Sequence, residues 1–263
     1  MRQDLVQIRW YEGVFARNSR RAFYDKPIDP VKAGKLAETA RILSEDSVRI
    51  ELVLSGTSTI FKGIVGGYGK IEYAPAYVAF IGDTTDPHVQ QKIGYYGECF
   101  ILEATMLGLG TCWVSAMFNP AQVCEQFQLR PTEEVFAVSP IGLPPPGYRR
   151  TDRLLRALSG SKRRRGLDSL VQGVKVYELP DWIVGGLTAV QVAPSAVNSQ
   201  PWVFEVLPGC VKLKNRPKLI HKFVNPGIDW GIAMLHFELG ALERRKPGTW
   251  KLLSDPYVAS YHT

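Results

Sequence analysis

Arg17, Ser19 and Arg21 alternate along Arg17-Asn18-Ser19-Arg20-Arg21-Ala22-Phe23, so two guanidinium groups and a hydroxyl can converge on one tetrahedral anion. Guanidinium forks match phosphate oxygens, and each charge-assisted hydrogen bond contributes about 1.5–3 kcal/mol. At a helix end such a cluster would anchor the phosphate tail of a cofactor. The plainer alternative is a set of solvated arginines. A second stretch, Ala193-Pro194-Ser195-Ala196-Val197-Asn198-Ser199-Gln200-Pro201-Trp202, is built differently. Pro194 and Pro201 fix backbone dihedrals, Ser195 and Ala196 keep the surface low, and Asn198 and Gln200 carry amides. A flat heterocycle could lie there with its polar edge toward those amides, whose fixed dipoles would stabilise negative charge on it. Against that stands the simple reading of a helix end stopped by proline.

The basic run Lys162-Arg163-Arg164-Arg165 offers a third group of cations. It also reads as a solvated linker. A nucleic-acid contact is the weaker option, because no aromatics for base stacking are interleaved and only Tyr148 is near. The four histidines, His88, His221, His236 and His262, share no ligand spacing with carboxylates, and no metal site is expected. Cys99, Cys112, Cys124 and Cys210 show neither zinc spacing nor the density of a disulfide scaffold, so ordinary thiols are expected. No nucleophile elbow, Walker loop or dinucleotide-binding glycine fingerprint follows a predicted strand.

Taken together, the two opening segments resemble the FMN-dependent nitroreductase family, and within it the branch that fuses two half-repeats in one chain. The family's first helix carries an Arg-x-Ser-x-Arg/Lys pattern, and its next helix ends in Pro-Ser-x-x-Asn-x-Gln-Pro-Trp. In the family each flavin takes the first pattern from one subunit and the second from its dimer mate. Here one chain holds both, which implies an intramolecular version of the dimer with a single complete FMN site. The resemblance assigns Arg17, Ser19, Arg21, Lys162 and Arg164 to the phosphate. It assigns Pro194, Ser195, Ala196, Asn198 and Gln200 to the ring, with Trp113, Val114, Ser115 and Ala116 as mainly backbone contacts. Lys70, directly after the glycine-rich loop Gly63 to Gly69, is a further candidate where the sequence departs from the family pattern.

The activity implied is hydride transfer from NADH or NADPH to flavin, then onward to a small oxidant such as a nitroaromatic or quinone. No side-chain acid or base is needed, and no catalytic residue is named. Three alternatives stay open: a flavin-binding protein without turnover, a specialised flavin enzyme such as a dehalogenase or a flavin-degrading one, and an anion- or nucleic-acid-binding module.

The elements that must position these residues follow from composition and periodicity. With 263 residues, 45% of them hydrophobic, the chain can bury a substantial core. Its net charge of +7 arises between Pro144 and Arg165, where eight basic residues face Asp152 alone, so the rest is balanced and a uniformly basic nucleic-acid binder is not indicated. No apolar run has membrane-spanning length and the N-terminus lacks a secretory apolar core, so a cytoplasmic protein is expected, without a membrane or nucleic-acid partner. The fold expected is α+β and nitroreductase-like, with two related halves, 1–147 and 148–263, packed as a pseudo-dimer around mainly antiparallel sheets. A monomer is expected, with further self-association left open.

In the first half, helices are predicted over 3–17 (with Leu5, Ile8 and Val14 inward), Pro30–Leu43 (with Val31, Leu36, Ala40 and Leu43 inward, capped by Asp29), Pro87–Leu107 (interrupted by Gly94 and Gly97) and Asn119–Leu129. Strands are predicted at Val48–Leu54, Ala76–Ile81, Thr111–Ala116 and Val135–Ile141. The second half is expected to run helix 168–174, helix 181–192, strands Val203–Leu207 and Val211–Leu213, then helix Trp230–Arg245. Gly110-Thr111-Cys112-Trp113 and Gly248-Thr249-Trp250 each follow a long helix, which suggests a duplicated layout.

Overall fold

Strand order is what relates the two ends of this chain. The computed structural model describes residues 1–45, 47–55, 60–61, 71–116, 118, 120–147, 163–216 and 225–263. Strands β1 (Val48–Val53), β2 (Ala76–Asp83), β3 (Gly110–Thr111) and β4 (Glu133–Gly142) form an antiparallel sheet in the order β1-β2-β4-β3. Strands β5 (Val171–Gln172), β6 (Trp202–Leu207), β7 (Cys210–Asn215), β8 (Thr249–Leu252) and β9 (Tyr257–His262) form a second sheet in the order β5-β6-β7-β9-β8. Apart from the parallel edge strand β5, the second sheet repeats the first, β6-β7-β9-β8 standing for β1-β2-β4-β3. The central pair of each sheet also slips register once, between Phe80 and Ile81 in one and between Leu213 and Lys214 in the other.

Six helices accompany the sheets among the described residues: α1 (Trp10–Ala16), α2 (Pro30–Leu43), α3 (Val89–Met106), α4 (Pro120–Cys124), α5 (Asp181–Gln191) and α6 (Gly227–Glu243). The long helices α3 and α6 cross in direct contact. A Cβ on Gly94 would lie 2.0 Å from the Ile228 carbonyl oxygen, and one on Gly231 would lie 1.9 Å from that of Gln91. Gln91 stands three residues before Gly94, and Ile228 three before Gly231, so the crossing is reciprocal. Gly94 and Gly97 therefore do not interrupt α3. They let backbone and the Trp113 ring approach it, a Cβ on Gly97 falling 2.5 Å from Trp113.

Burial explains the strand patterns. In β2, Ala76, Val78 and Phe80 belong to the main core with α3, while Tyr77, Ala79 and Ile81 join a second cluster with Phe23, Val114 and Val138. Both faces are covered, and the strand reads as a continuous apolar run. In β7 only Val211 and Leu213 are buried, which gives an alternating pattern. Against the second sheet, Phe237 of α6 stacks on Phe204 at 5.1 Å between ring centroids and meets Trp250 and Tyr261 edge-on.

Helix α2 runs from Pro30 to Leu43, and the Asp29 carboxylate accepts the Val31 and Lys32 N–H groups at 3.0 and 3.1 Å. Val31 is exposed, however, and Ala33 takes its place on the buried face. The helix predicted over 3–17 is a short 3-10 turn at Gln3–Leu5 followed by α1. Trp10 rather than Ile8 enters the core, where its indole N–H is donated to Glu103 at 2.7 Å. The helix expected over 119–129 is confined to α4. Around 168–174 there is a 3-10 turn, Leu167–Ser169, and then β5, which Gly173 ends at φ 83°. Beyond Thr111 the ladder lapses at Cys112 and Trp113 and resumes only as a bridge between Val114 and Val138.

Candidate functional site

The chain leaves α1 at Arg17, whose N–H is donated to the Gly13 carbonyl at 2.8 Å. Ser19 then forms a parallel bridge with Thr111, and the Arg20 N–H is donated to the Thr111 carbonyl at 2.7 Å. Gly110 allows this approach, since a Cβ there would come 2.9 Å from Arg20. The Glu72 N–H is donated to the Arg21 carbonyl at 2.8 Å, which fixes the far end of the segment. The backbone of residues 17–21 is thus laid beside the start of Gly110 to Ala116.

Arg17 is buried, its side chain 5% exposed, with Nε 3.5 Å from Glu98 Oε1 and without a hydrogen bond. Arg21 Nε is likewise buried and unbonded. Glu98, on α3, is fully buried. Its Oε2 accepts the Trp113 indole N–H at 2.7 Å, and its Oε1 lies 3.1 Å from His236 Nε2. His236 is on α6, and its Nδ1 is 3.0 Å from the Ala189 carbonyl near the end of α5. Trp113 also stacks on Phe80 at 4.4 Å. Val114 exchanges both backbone hydrogen bonds with Val138 at 2.9 Å, while Ser115 and Ala116 are half-buried.

The second segment follows α5. Residues 193–200 fold against residues 163–165: Arg164 Nη1 donates to the Ala193 carbonyl at 2.7 Å and to Asn198 Oδ1 at 3.2 Å. Asn198 Nδ2 donates to the Arg163 carbonyl at 3.0 Å. Gln200 accepts the Arg165 N–H at 3.0 Å and donates to the Arg163 and Asn198 carbonyls at 3.1 and 3.3 Å. Ser195 Oγ accepts the Gln200 N–H at 2.9 Å. Val197, Asn198 and Gln200 all adopt left-handed backbone, with φ of 46°, 54° and 49°. Non-glycine residues take this conformation at a cost, so the turn persists because its surroundings determine it. Pro194 is half-buried at its entry, and the Pro201 carbonyl at its exit accepts the Trp230 indole N–H at 2.9 Å.

Asp229, at the start of α6, holds the turn from beneath. Both its oxygens lie 3.1 Å from the Ala196 N–H, and Oδ2 is 3.5 Å from Ser199 Oγ. Burial pushes its pKa up to about 7, although the hydrogen bonds from Ala196 and Ser199 oppose the shift.

The structure therefore lays Ser19 beside Thr111 and Arg21 beside Glu72, sets Arg17 next to the Glu98 carboxylate that also holds Trp113, and ties Arg164 to Ala193 and Asn198 within the stretch that carries Pro194, Ser195, Ala196 and Gln200. A chain of contacts runs from Arg17 through Glu98 and His236 to Ala189 of α5, the helix that precedes the second segment. Lys162, Lys70 and the glycine loop Gly63 to Gly69 lie outside the described residues. Sequence reasoning missed Glu98, Asp229 and His236. The available signal was a charged or polar residue in a helix apolar on every side, as in Gly97-Glu98-Cys99-Phe100-Ile101-Leu102, where burial demands a partner. Among the described residues no helix is long and apolar enough to cross a membrane.

A family model described as "Putative TM nitroreductase" matches residues 9–241. The fold is similar to that of a Thermotoga maritima protein described as a putative nitroreductase, with a TM-score of 0.65 and 19% identity, covering 100% of this chain and 96% of that one. An FMN-dependent nitroreductase from Clostridium difficile R20291 is 18% identical over 53% of this chain and 92% of that one, with a TM-score of 0.44. A nitroreductase with bound FMN from Bacteroides fragilis NCTC 9343 is 15% identical over 53% of this chain and 90% of that one, with a TM-score of 0.41. No curated protein matches. The α+β architecture with antiparallel sheets is the nitroreductase-like fold expected.

Proposed function

Because the chain belongs to the TM nitroreductase family, we propose that it is an FMN-dependent oxidoreductase carrying electrons from NADH or NADPH to a small oxidant such as a nitroaromatic or quinone. The flavin, when bound, would supply the hydride-accepting chemistry. The observation that carries this reading is the buried, unbonded Nε of Arg17 together with that of Arg21 on either side of Ser19. Buried donors are rarely left unmet, and a phosphate monoester is an acceptor of the right charge and geometry. These residues fit the tail of the cofactor. Gly110, Thr111 and Glu72 hold their backbone still, so the cations are set in place before a ligand arrives.

The shelf at 193–200 fits the ring less completely. Both Gln200 Nε2 hydrogens are donated to backbone carbonyls, and Asn198 is already bonded to residues 163 and 164. Its contribution to a ring would come from Pro194, Ser195 and Ala196, whose low surface Asp229 fixes from below. This internal saturation favours one second reading, a flavin-binding protein without turnover.

The two halves, 1–147 and 148–263, are read as an internal duplication acting as a pseudo-dimer, supported by the repeated strand order and the reciprocal glycine crossing. Anaerobic stopped-flow mixing with NADH or NADPH tests the activity. Bleaching of bound flavin is the expected result; flavin that stays oxidised would favour the carrier, and colourless protein that refuses added FMN would end both readings.

A further inference from the structure

Arg17 is enclosed by protein, yet the carboxylate beside it is occupied by others. Glu98 Oε2 takes the Trp113 N–H at 2.7 Å, and Oε1 faces His236 Nε2 at 3.1 Å, nearer than Arg17 Nε at 3.5 Å. His236 and Glu98 are both fully buried. A neutral imidazole has one N–H and one lone pair. Here both ring nitrogens face oxygens without hydrogens of their own, the Ala189 carbonyl at Nδ1 and Glu98 at Nε2. The Nδ1 hydrogen satisfies Ala189, so a further proton must lie between Nε2 and Glu98 Oε1. It can rest on the ring, giving an imidazolium beside a carboxylate, or on Glu98, giving a carboxylic acid that donates to the ring. In either placement Arg17, Glu98 and His236 together carry one net positive charge. Glu238, also buried on α6, accepts the Tyr95 hydroxyl at 2.7 Å instead.

We propose that His236 is a positioning residue: by sharing with Glu98 the proton that balances the carboxylate, it leaves the cluster of Arg17, Glu98 and His236 with one net positive charge for a phosphate monoester. The proposal rests on the FMN reading above for the identity of that anion. Without the shared proton, the Glu98 carboxylate would cancel the Arg17 charge that the ligand needs. A net charge buried in protein is costly, and the bound anion relieves it. The same carboxylate orients Trp113, so one buried group on α3 sets both the cation and the neighbouring aromatic.

FMN and riboflavin share a ring and differ in the phosphate, so the ratio of their affinities, read by flavin fluorescence titration, isolates the tail. The wild-type protein should prefer FMN by about 10- to 100-fold, the loss of one charge-assisted interaction. His236→Gln should reduce that ratio at least about fivefold, because Glu98 then claims Arg17. Glu98→Gln should instead lower both affinities together and keep the ratio, with a shift in Trp113 fluorescence. An unchanged ratio in His236→Gln, or equal loss in both variants, overturns the proposal. A wild-type ratio near one would overturn the phosphate assignment made above. The proposal is judged separately by nitrogen-15 histidine NMR of the ligand-free wild type, where a protonated Nδ1 and a low-field proton bridging Nε2 are expected. A ring with a single proton and an unbonded Nε2 overturns it without reference to any ligand.

Discussion

At the Arg17 end of the candidate site, buried guanidinium nitrogens are left without acceptors, whereas at the Pro194 end the Asn198 and Gln200 amides are tied to the backbone of residues 163–165. Both ends are tied to neighbouring segments, but by different groups. Residues 17–21 are held through backbone hydrogen bonds to Thr111 and Glu72, with Arg20 also donating to the Gly147 carbonyl, while the Nε groups of Arg17 and Arg21 are buried without a hydrogen bond. Residues 193–200 are held largely by their side chains, which stabilise a strained turn and have less to offer outward. In the proposed function the tail site would be organised mainly by backbone and the ring shelf mainly by side chains.

The strongest test of this contrast is Arg17→Ala, which should weaken FMN retention by about 10- to 100-fold, as expected for removing a charge-assisted interaction. Ultrafiltration of reconstituted protein would measure it; retention equal to wild type would mean that the unbonded guanidinium is not a ligand site. Next comes Asp229→Ala. It leaves the Ala196 N–H without its acceptor and should cost about 1–3 kcal/mol of stability, seen as a lower urea midpoint with little change in FMN affinity relative to Arg17→Ala.

A pH series sharpens the same point. The Asp229 pKa is raised in the fold from its ordinary 3.8 to about 7, so the folded state binds a proton that the unfolded state has already lost between those values. The stability from the protonated carboxyl is complete below 3.8 and declines as pH rises to about 7. Glu238, also pushed up to about 7 by burial, acts in the same direction. Asp229→Asn should flatten part of this decline in urea titrations; an unaltered slope would show that Asp229 ionises freely in the fold. The smallest effect is expected from Asn198→Ala, which should change FMN affinity by less than about threefold while loosening residues 163–165, since neutral hydrogen bonds contribute only about 0.5–1.5 kcal/mol net. Faster proteolysis near Arg163–Arg165 would register the loosening. An Asn198→Ala loss as large as that of Arg17→Ala would erase the distinction between the two ends.

What was legible beforehand depended on range. Helix α2 could be read from end to end because Asp29, Pro30 and the run of apolar residues to Leu43 are local signals. Val31 was misassigned because a first-turn position can match the period and still point to solvent. Isolated glycines in a helix read as breaks, yet Gly94 and Gly97 serve close approach to Ile228 and to Trp113. No spacing near residue 94 announces a carbonyl at residue 228. The segment after Thr111 was expected as a full strand, but Trp113 turns to Phe80 and Glu98 and the ladder lapses there.

The order of amino acids alone carried the likeness to the family, most of the main helices and strands, and the two stretches proposed to take a phosphate and a flat ring. Those properties reside in short runs of neighbouring residues. The meeting of Glu98 with His236, the buried Arg17 Nε without a hydrogen bond, the inward turn of the Asn198 and Gln200 amides and the reciprocal crossing of α3 and α6 came only from the folded chain. Each depends on which distant groups share a dry interior, and in that low dielectric an ionisable side chain is defined by its partners as much as by its own chemistry.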